Sequence, residues 1–480
     1  MPHSSTASRL KSIHKEYIYC MSLSFLSSLH TQPENMRPDF LLHSSEAQAL
    51  YETVAHFPLI DWHNHLSVKD IQQDRQFHTI TELWVSSDPY KHRAMRICGE
   101  KEKLITGDVD DFDRFVSWSR TLPQLAGNPL YFWSMMELES VFGITEPLNE
   151  KTARAIYDQA NEMLGHDDLT AQGLLKSFHV EYAAPCVGLA DVLSLFNGLS
   201  GIVPSFRGDD ALNLRLPNDW QPKSLDDLSD CLLLRLQVLQ KHGCQFADHV
   251  LDSDFVYQPD DGRNDARFES WRRGELPQVE MQYLQSEILR RLANEYARLG
   301  WILQLHVGAL RKTSERLRRV AGPAGGYATI GNSTDMTSLT TLLNDMERAE
   351  NGMPRIILYP LSPNDLTPFA CLTGSFTGDG VRGQVRLGPA WWYCDHRQGI
   401  RECLAASAAF GVLSVHPGMT TDSRSLLSFV RHDYFRRVLC DFLAEQAQQD
   451  ELPRDMEILK KLASALSYDN AKQLITETIR

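Results

Sequence analysis

Short, continuous apolar runs recur along this chain, with helical patterns between them, and this succession constrains the fold more than any other feature. The runs lack the polar–apolar alternation of half-buried strands, which is typical of parallel strands covered on both faces. Eight such runs, each followed by a helical pattern, predict an α/β fold of the (β/α)8 barrel type. The predicted strands are 58–63, 179–185, 201–206, 244–250, 301–307, 355–361, 383–388 and 411–419.

The connection after the first predicted strand is far too long for a single helix. Residues 68–177 contain several helix-like patterns, so we expect a helical insertion domain between strands one and two. The barrel itself is then expected to consist of residues 37–67 and 178–480. Residues 1–36 are expected to be a disordered N-terminal lead, because a faint signal-like stretch there lacks a cleavage site.

Composition excludes several classes of function. The formal net charge of −14 argues against a nucleic-acid partner, which would favour a basic face. No run approaches the roughly 18 apolar residues of a membrane-spanning helix. The nine cysteines show neither paired-cysteine spacing nor a disulfide framework, which is typical of free thiols in a reducing compartment, and we expect a cytoplasmic protein.

The stretch "PLIDWHNHLS" places His63 and His65 at the end of the first predicted strand. Residues two apart on a strand point to the same side, and the carboxyl end of barrel strands is the active-site face. Imidazoles suit zinc, manganese or iron. A chain with 17 histidines also forms such a pair by chance. The interpretation as metal ligands therefore depends on the position at a strand end and on the neighbouring Asp61. We expect both histidines to bind a divalent metal.

Two charged residues follow other predicted strands. Asp422 follows the last one and is expected to complete a His-His-Asp metal site, while also being suited to cap the next helix. Arg207 follows the third strand and is suited to bidentate capture of a carboxylate. The alternative for Arg207 is an ion pair with Asp209 or Asp210.

Further candidates have both a functional and a structural interpretation. His249 and His306 lie late in neighbouring strands, where each either lines the site or forms a hydrogen bond in the core. Trp391, the first of a tryptophan pair, either walls a sugar site or fills core. Three arginines of the last long helical pattern are expected on its solvated face: Arg431, Arg436 and Arg437.

Taken together, these motifs resemble the uronate isomerase (glucuronate isomerase) family of the amidohydrolase superfamily. The resemblance runs over most of the chain, from "DFLLHSSEAQALY" to "YDNAKQ". It is carried by "IDWHNHLS", "TELW", "YKHRAMR", "GNPLYFW", "VPSFR", "HGCQFADHVLD", "LQLHVGALR", "WWYCD" and "GMTTDSRSLLSFVRHDYFRR". It implies a distorted TIM-like barrel with a helical insertion after strand one. The implied reactions, which belong to hexuronate catabolism, interconvert D-glucuronate with D-fructuronate and D-galacturonate with D-tagaturonate.

The resemblance also implies roles for individual residues. His63, His65 and Asp422 match the metal ligands, with zinc expected and manganese or iron as alternatives. Tyr90, Arg207 and Arg424 match active-site positions. The expected substrate-binding residues are Arg207, His249, His306 and Trp391, and the expected catalytic residues are Asp422, Tyr90 and Arg424. The expected partner is a hexuronate, bound by a homo-oligomer.

For an aldose–ketose isomerisation, either Asp422 or hydroxide on the metal it binds is expected to act as the base, and Tyr90 to move the oxygen proton. Arg424 is expected to offset the enediolate charge.

The chain departs from the family pattern in two places. Pro89 precedes Tyr90 where the family commonly has a histidine, and His92 replaces a tryptophan. The stretch "AAPCVG" stands where the family has "TTDDP". Two alternatives therefore stay open, namely a metal-dependent hydrolase of the same superfamily and a non-catalytic sugar-acid-binding relative.

Overall fold

The computed structural model describes residues 37–477 and contains one sheet of eight strands. The strands are β1 (Leu59–Asn64), β2 (Val180–Val187), β3 (Ser205–Arg207), β4 (Phe246–Asp252), β5 (Ile302–Leu310), β6 (Thr329–Ile330), β7 (Arg355–Pro360) and β8 (Val385–Leu387). Seven of them pair in parallel in the order β1-β2-β3-β4-β5-β7-β8, while β6 pairs antiparallel with β5. The sheet curls into a half-barrel, which confirms the predicted distorted (β/α)8 fold.

Helices surround this sheet. They are α1 (Ser45–Val54), α2 (Val68–Gln72), α3 (Ile80–Trp84), α4 (Pro89–Ile97), α5 (Glu102–Ile105), α6 (Asp111–Thr121), α7 (Pro129–Phe142), α8 (Ala153–Leu164), α9 (Ala171–Ser177), α10 (Asp209–Leu212), α11 (Leu225–Lys241), α12 (Asn264–Arg272), α13 (Met281–Leu299), α14 (Glu315–Ala321), α15 (Met336–Glu347), α16 (Leu366–Ser375), α17 (Arg397–Phe410), α18 (Val430–Gln448), α19 (Met456–Ser464) and α20 (Asn470–Thr476). Within residues 37–477, none of these helices has the length and apolar character needed to cross a bilayer.

The helical insertion after the first strand is confirmed, because α2 to α9 all lie between β1 and β2. The division of the chain into a barrel and a separate insertion domain stays a prediction. The predicted disordered lead, residues 1–36, lies outside the described residues.

The eighth predicted strand, 411–419, is wrong. This segment contains a short 3-10 turn at Leu413–Val415 and then irregular backbone. Pro417 has no backbone N–H to donate to a ladder, and Gly418 has a left-handed φ of 96°. An apolar run predicts burial, and this run is buried near its end, but its backbone does not continue as a strand.

Residues 420–423 lie alongside β1, in the place of a regular eighth strand. The amide of Asp422 donates to the carbonyl of His63 at 3.1 Å, and the amide of His65 donates to the carbonyl of Ser423 at 2.8 Å. These two hydrogen bonds join the end of the chain's last barrel segment to its first strand. They bring the HxH motif and the late aspartate to the same edge.

Large side chains from facing strands fill the barrel interior below this edge. Trp62 of β1 donates through Nε1 to the hydroxyl of Tyr359, which donates to Gln304 at 2.8 Å. Leu474 of α20 packs into the same cluster of buried residues. This layer forms a packed floor beneath the carboxyl ends of the strands.

Candidate active site

A cavity of about 370 Å³ opens at the carboxyl ends of the strands. Its wall contains eight of the nine residues predicted for the site, drawn from distant parts of the chain: His63, His65, Tyr90, Arg207, His306, Trp391, Asp422 and Arg424. The ninth, His249, is not part of the wall. The cavity position agrees with the active-site face of barrel enzymes.

The HxH motif and the late aspartate meet in this cavity. Nε2 of His63 and Nε2 of His65 lie 3.2 and 3.1 Å from the same Oδ1 atom of Asp422. Burial raises the pKa of Asp422, but hydrogen bonds from both histidines outweigh burial and hold that pKa well below its ordinary value. Burial lowers the pKa of His65 to about 4. The carboxylate is therefore ionised at neutral pH, and His65 is neutral.

The surroundings of His63 favour positive charge. Burial lowers the pKa of His63, but Cys186, Asp248 and Asp422 raise it well above its ordinary value. The thiol of Cys186 lies 3.5 Å from Nδ1 of His63. A divalent cation would satisfy the same negative neighbours, because metal binding replaces protons on its ligands.

Several groups of nitrogen, oxygen and sulfur atoms around His63 could hold a metal ion. Two imidazoles and a carboxylate form a donor set that suits zinc, manganese or iron. Besides His63, His65 and Asp422, two further groups have ligand atoms within 4.8 Å of one another. They are His63–His65–Cys186 and His63–Asp248–His306. All three groups share His63, so the residues present fit a metal at this edge of the sheet.

Asp248 of β4 is a buried centre of charge that sequence reasoning missed. Its Oδ1 lies 2.6 Å from Nδ1 of His306, and its Oδ2 lies 3.0 Å from Nη1 of Arg207. Although burial opposes ionisation, the Arg207 guanidinium and then the imidazoles of His306 and His63 hold the pKa of Asp248 well below its ordinary value. Arg207 also donates to Asp209 at 2.9 Å, so the ion-pair interpretation of Arg207 holds together with its cavity position. The sequence signal that could have identified Asp248 was an acidic residue inside the apolar run "FADHVLD".

The structure places His249, which we expected to contact substrate, outside the cavity wall. Its neighbour Asp248 faces the barrel, and successive side chains of a strand point to opposite faces. His249 is fully buried, and its Nε2 lies 2.9 Å from the hydroxyl of Tyr296 on α13. His249 therefore joins β4 to α13, which agrees with the alternative that it forms a hydrogen bond in the core. His306, in contrast, stacks on Tyr359 and lines the cavity.

Tyr90 reaches the cavity because α4 begins one residue before it. Asp88 caps this helix by accepting from the amides of Tyr90 and Lys91, and Pro89 occupies the first helical position. The hydroxyl of Tyr90 donates to Asp395 at 3.4 Å. Burial and then the Asp395 carboxylate raise the pKa of Tyr90 well above its ordinary value, so the hydroxyl stays protonated.

The prediction that Arg431, Arg436 and Arg437 are solvated is wrong. Arg431 and Arg436 are only 4 and 3% exposed, and the side chain of Arg437 is 14% exposed. Arg431 pairs with Asp395, and burial raises the pKa of Asp395 to about 7. When only the sequence of the helix is considered, its arginines predict a solvated face. In the structure, α18 is covered on most sides.

Aromatic and cationic side chains build the outer wall. Trp391 is nearly buried, donates to the carbonyl of Pro360 at 3.2 Å and also lines the cavity, so both interpretations of this tryptophan hold. Arg93 lies 4.6 Å from the ring of Tyr393, and Arg311 lies 4.6 Å from the ring of Trp392. These four residues also line the cavity, and sequence reasoning did not assign Arg93, Arg311 or Tyr393 to it.

A sequence model of the glucuronate isomerase family matches residues 33–475. The chain belongs to the glucuronate isomerase family. It is 36% identical over 459 residues to a uronate isomerase of Caldanaerobacter subterraneus subsp. tengcongensis, covering 91% of this chain and 98% of that relative. It is 36% identical over 462 residues to a uronate isomerase of Vibrio vulnificus, with coverage of 92 and 98%. As a member of the glucuronate isomerase family, the chain is an enzyme of the isomerase class.

Solved structures agree with the glucuronate isomerase assignment. The crystal structure of a uronate isomerase from Thermotoga maritima is 28% identical, covers 92% of this chain and 99% of its own, and superposes with a TM-score of 0.85. A glucuronate isomerase from Caulobacter crescentus superposes with a TM-score of 0.83 at 21% identity, covering 94% of this chain and 98% of its own. The second likeness supports the fold alone.

Proposed function

We propose that this chain is an aldose–ketose isomerase that interconverts D-glucuronate with D-fructuronate and D-galacturonate with D-tagaturonate in hexuronate catabolism. One observation carries the proposal. In a member of an isomerase family, the cavity at the carboxyl ends of the strands unites two imidazoles, an ionised carboxylate, a protonated phenol and two guanidinium groups. These belong to His63, His65, Asp422, Tyr90, Arg207 and Arg424.

The reaction moves one proton between adjacent carbons and another between their oxygens. Asp422 is ionised at neutral pH, so its carboxylate is available to accept the carbon-bound proton. Tyr90 keeps its hydroxyl proton and can pass it to a substrate oxygen. Each role follows from the protonation state that the surroundings impose on the side chain.

The two guanidinium groups supply positive charge at the cavity. Arg207 uses Nε and Nη1 for its contacts with Asp209 and Asp248, which leaves Nη2 for the substrate carboxylate. Arg424 lines the cavity and forms no ion pair with the residues from 37 to 477, so its charge is available to the developing enediolate. Fixed charges of this kind act most strongly where water is excluded.

His63, His65 and Asp422 would hold a divalent metal, for which we propose zinc, with manganese or iron as alternatives. When bound, this ion would polarise a substrate oxygen as a Lewis acid. His306 and Trp391 would shape the cavity around the sugar, since their rings meet edge to face at 4.6 Å.

We also propose a cytoplasmic location, supported by nine scattered cysteines without a disulfide framework. Assembly into a homo-oligomer stays a prediction.

A coupled assay tests the proposed reaction. Purified protein is incubated with D-glucuronate and with D-galacturonate, before and after chelator treatment and metal restoration, and ketose formation is followed. We expect turnover of free uronates that the chelator abolishes and zinc restores. Asp422→Asn should abolish turnover, because the base and one metal ligand are lost, whereas Asp441→Asn on α18 should retain it. Asp441 is a matched control because it is also buried but pairs with His43 and does not line the cavity.

Two outcomes would contradict the proposal in different ways. Cleavage of lactone or amide substrates without isomerisation would establish a hydrolase. Binding of uronates by calorimetry without any turnover would establish a non-catalytic sugar-acid-binding relative.

A further inference from the structure

Asp422 holds an unusual backbone conformation. Its φ is +51°, in the left-handed region that a residue with a Cβ atom rarely adopts. Strained residues of this kind persist only where the surroundings hold them in place. The carboxylate that meets both histidines therefore depends on contacts made by its neighbours in the chain.

Asp61 holds the two residues before Asp422 from one side. Its Oδ1 accepts from the amide of Thr421 at 2.7 Å and from the hydroxyl of Thr420 at 2.6 Å, and its Oδ2 accepts from the hydroxyl of Thr421 at 2.7 Å. The carboxylate also accepts from Nδ2 of Asn64 at 3.2 Å. Asp61 is fully buried and is absent from the cavity wall, so it acts on the segment and not on a ligand.

Thr420 links the same segment to the first histidine. Its hydroxyl oxygen accepts from the amide of His63 at 3.0 Å and lies 2.7 Å from the carbonyl oxygen of His63. The carboxylate of Asp61, the backbone of His63 and the Thr420–Thr421 pair thus form one connected network. A displacement of Asp61 would move the histidine and the aspartate relative to each other.

Arg431 of α18 holds the same segment through its backbone. Its Nη1 donates to the carbonyl of Thr421 at 2.7 Å, and this carbonyl belongs to the peptide bond that leads into Asp422. The guanidinium lies 4.4 Å from the ring of Trp133 and also pairs with Asp395. These contacts fix its position, and Arg431 does not line the cavity.

We propose that Asp61 and Arg431 are positioning residues that clamp Thr420–Thr421 and thereby hold the Asp422 carboxylate between His63 and His65. The clamp sets the backbone conformation from which the side chain of Asp422 reaches both Nε2 atoms. Its effect on catalysis rests on the proposed isomerase function. Its effect on metal binding does not, so the two can be tested separately.

The test compares Asp61→Asn and Arg431→Met with two control variants of α18, Asp441→Asn and Arg437→Met. Zinc affinity is measured by competition with a chromophoric chelator, and folding by circular dichroism and thermal unfolding. We expect both clamp variants to bind zinc about 10- to 100-fold more weakly, which is the usual effect of losing a partner that orients a ligand. The controls should unfold at lower temperature but keep the parent zinc affinity.

Kinetics add a second readout. Because the clamp acts on Asp422 and not on the substrate, kcat with D-glucuronate should fall much more than KM changes, at zinc concentrations that saturate each variant. Thr421→Val removes one hydroxyl bond to Asp61 with little change in volume. It should fold even where Asp61→Asn does not, and should show a smaller loss of zinc affinity.

The parent zinc affinity in a folded Asp61→Asn, Arg431→Met or Thr421→Val variant would overturn the role of that contact. Failure of the parent protein to bind zinc would overturn the proposal as a whole. Weakened zinc binding in the clamp variants of a protein that does not turn over uronates would support the clamp while rejecting the isomerase function.

Discussion

Arg207 contacts two carboxylates and still faces the cavity, so its removal tests a substrate contact directly. We expect Arg207→Met to raise KM for D-glucuronate about 10- to 100-fold, because a charge-assisted hydrogen bond contributes about 1.5–3 kcal/mol. Steady-state kinetics with saturating metal check this expectation. Arg215→Met is the matched control, since Arg215 forms an exposed ion pair with Asp210 and does not line the cavity. An unchanged KM in the Arg207 variant would remove this residue from the substrate site.

Asp395 makes the stability of the protein depend on pH. Burial raises the pKa of Asp395 to about 7 in the folded protein, against about 3.9 in an unfolded chain. Folding then takes up a proton between these values, so this group's contribution to stability is complete below about pH 4 and is lost as pH rises through about 7. We expect Asp395→Asn to become more stable relative to the parent protein as pH rises from about 5 to about 8.

Thermal unfolding of both proteins across that range provides the measurement. Asp441→Asn serves as the control, because hydrogen bonds from His43 and Arg397 outweigh burial and lower the pKa of Asp441 in the parent protein. Asp441 is then ionised in both states above about pH 5, so its own ionisation should add no slope to the stability difference there. A constant difference for Asp395→Asn as well would show that Asp395 titrates at its ordinary value.

At the scale of secondary-structure elements, α4 is fixed by a buried lysine. Nζ of Lys91 lies 2.6 Å from Asp88 and 3.7 Å from Glu137 of α7, and both pairs are buried. Its ammonium group also lies 5.2 Å from the ring of Trp84. One cation thus joins three insertion helices and fixes the start of the helix that carries Tyr90.

Lys91→Met should therefore destabilise the protein by about 3–5 kcal/mol, because two buried carboxylates lose their common partner. Denaturant unfolding measures this change in the free energy of unfolding. The exposed Lys103, on the neighbouring α5, provides the control, and Lys103→Met should change stability by less than about 0.5 kcal/mol. Equal effects of the two substitutions would mean that the buried lysine is not the link between these helices.

At the scale of the whole molecule, the proposed metal site can form only when the barrel is formed. His63 and His65 are separated from Asp422 by more than half of the chain, so an unfolded chain cannot hold them together. A ligand that binds only the folded state stabilises it by about 2.7 kcal/mol at 100 times its dissociation constant. We expect zinc to raise the unfolding temperature of chelator-treated protein, and Asp422→Asn to abolish this rise. An equal rise in the variant would place the stabilising zinc elsewhere.

Seven of the eight predicted strands are present because burial on both faces leaves a strong signal in continuous apolar runs. The prediction of the eighth strand, 411–419, was wrong because the apolar character of this run reflects burial and not strand structure. The residues that follow it form hydrogen bonds with Asp61 and with β1.

His306 and His249 looked equivalent in the sequence. Only the direction of each side chain, set by the pairing of β4 with β5, separates the cavity residue from the one that faces a helix.

The sequence by itself determined the class of fold, the positions of seven strands along the chain, the insertion after the first strand and the family. These follow from local hydrophobic patterns and from motifs whose residues are neighbours in the chain. The tertiary structure alone decided that Asp248, Asp395 and Arg431 belong around the site, and that Asp61 contacts the segment before Asp422. The physical reason is that a buried charge is acceptable only beside its partner, and each of these partners lies on another element, far away in sequence.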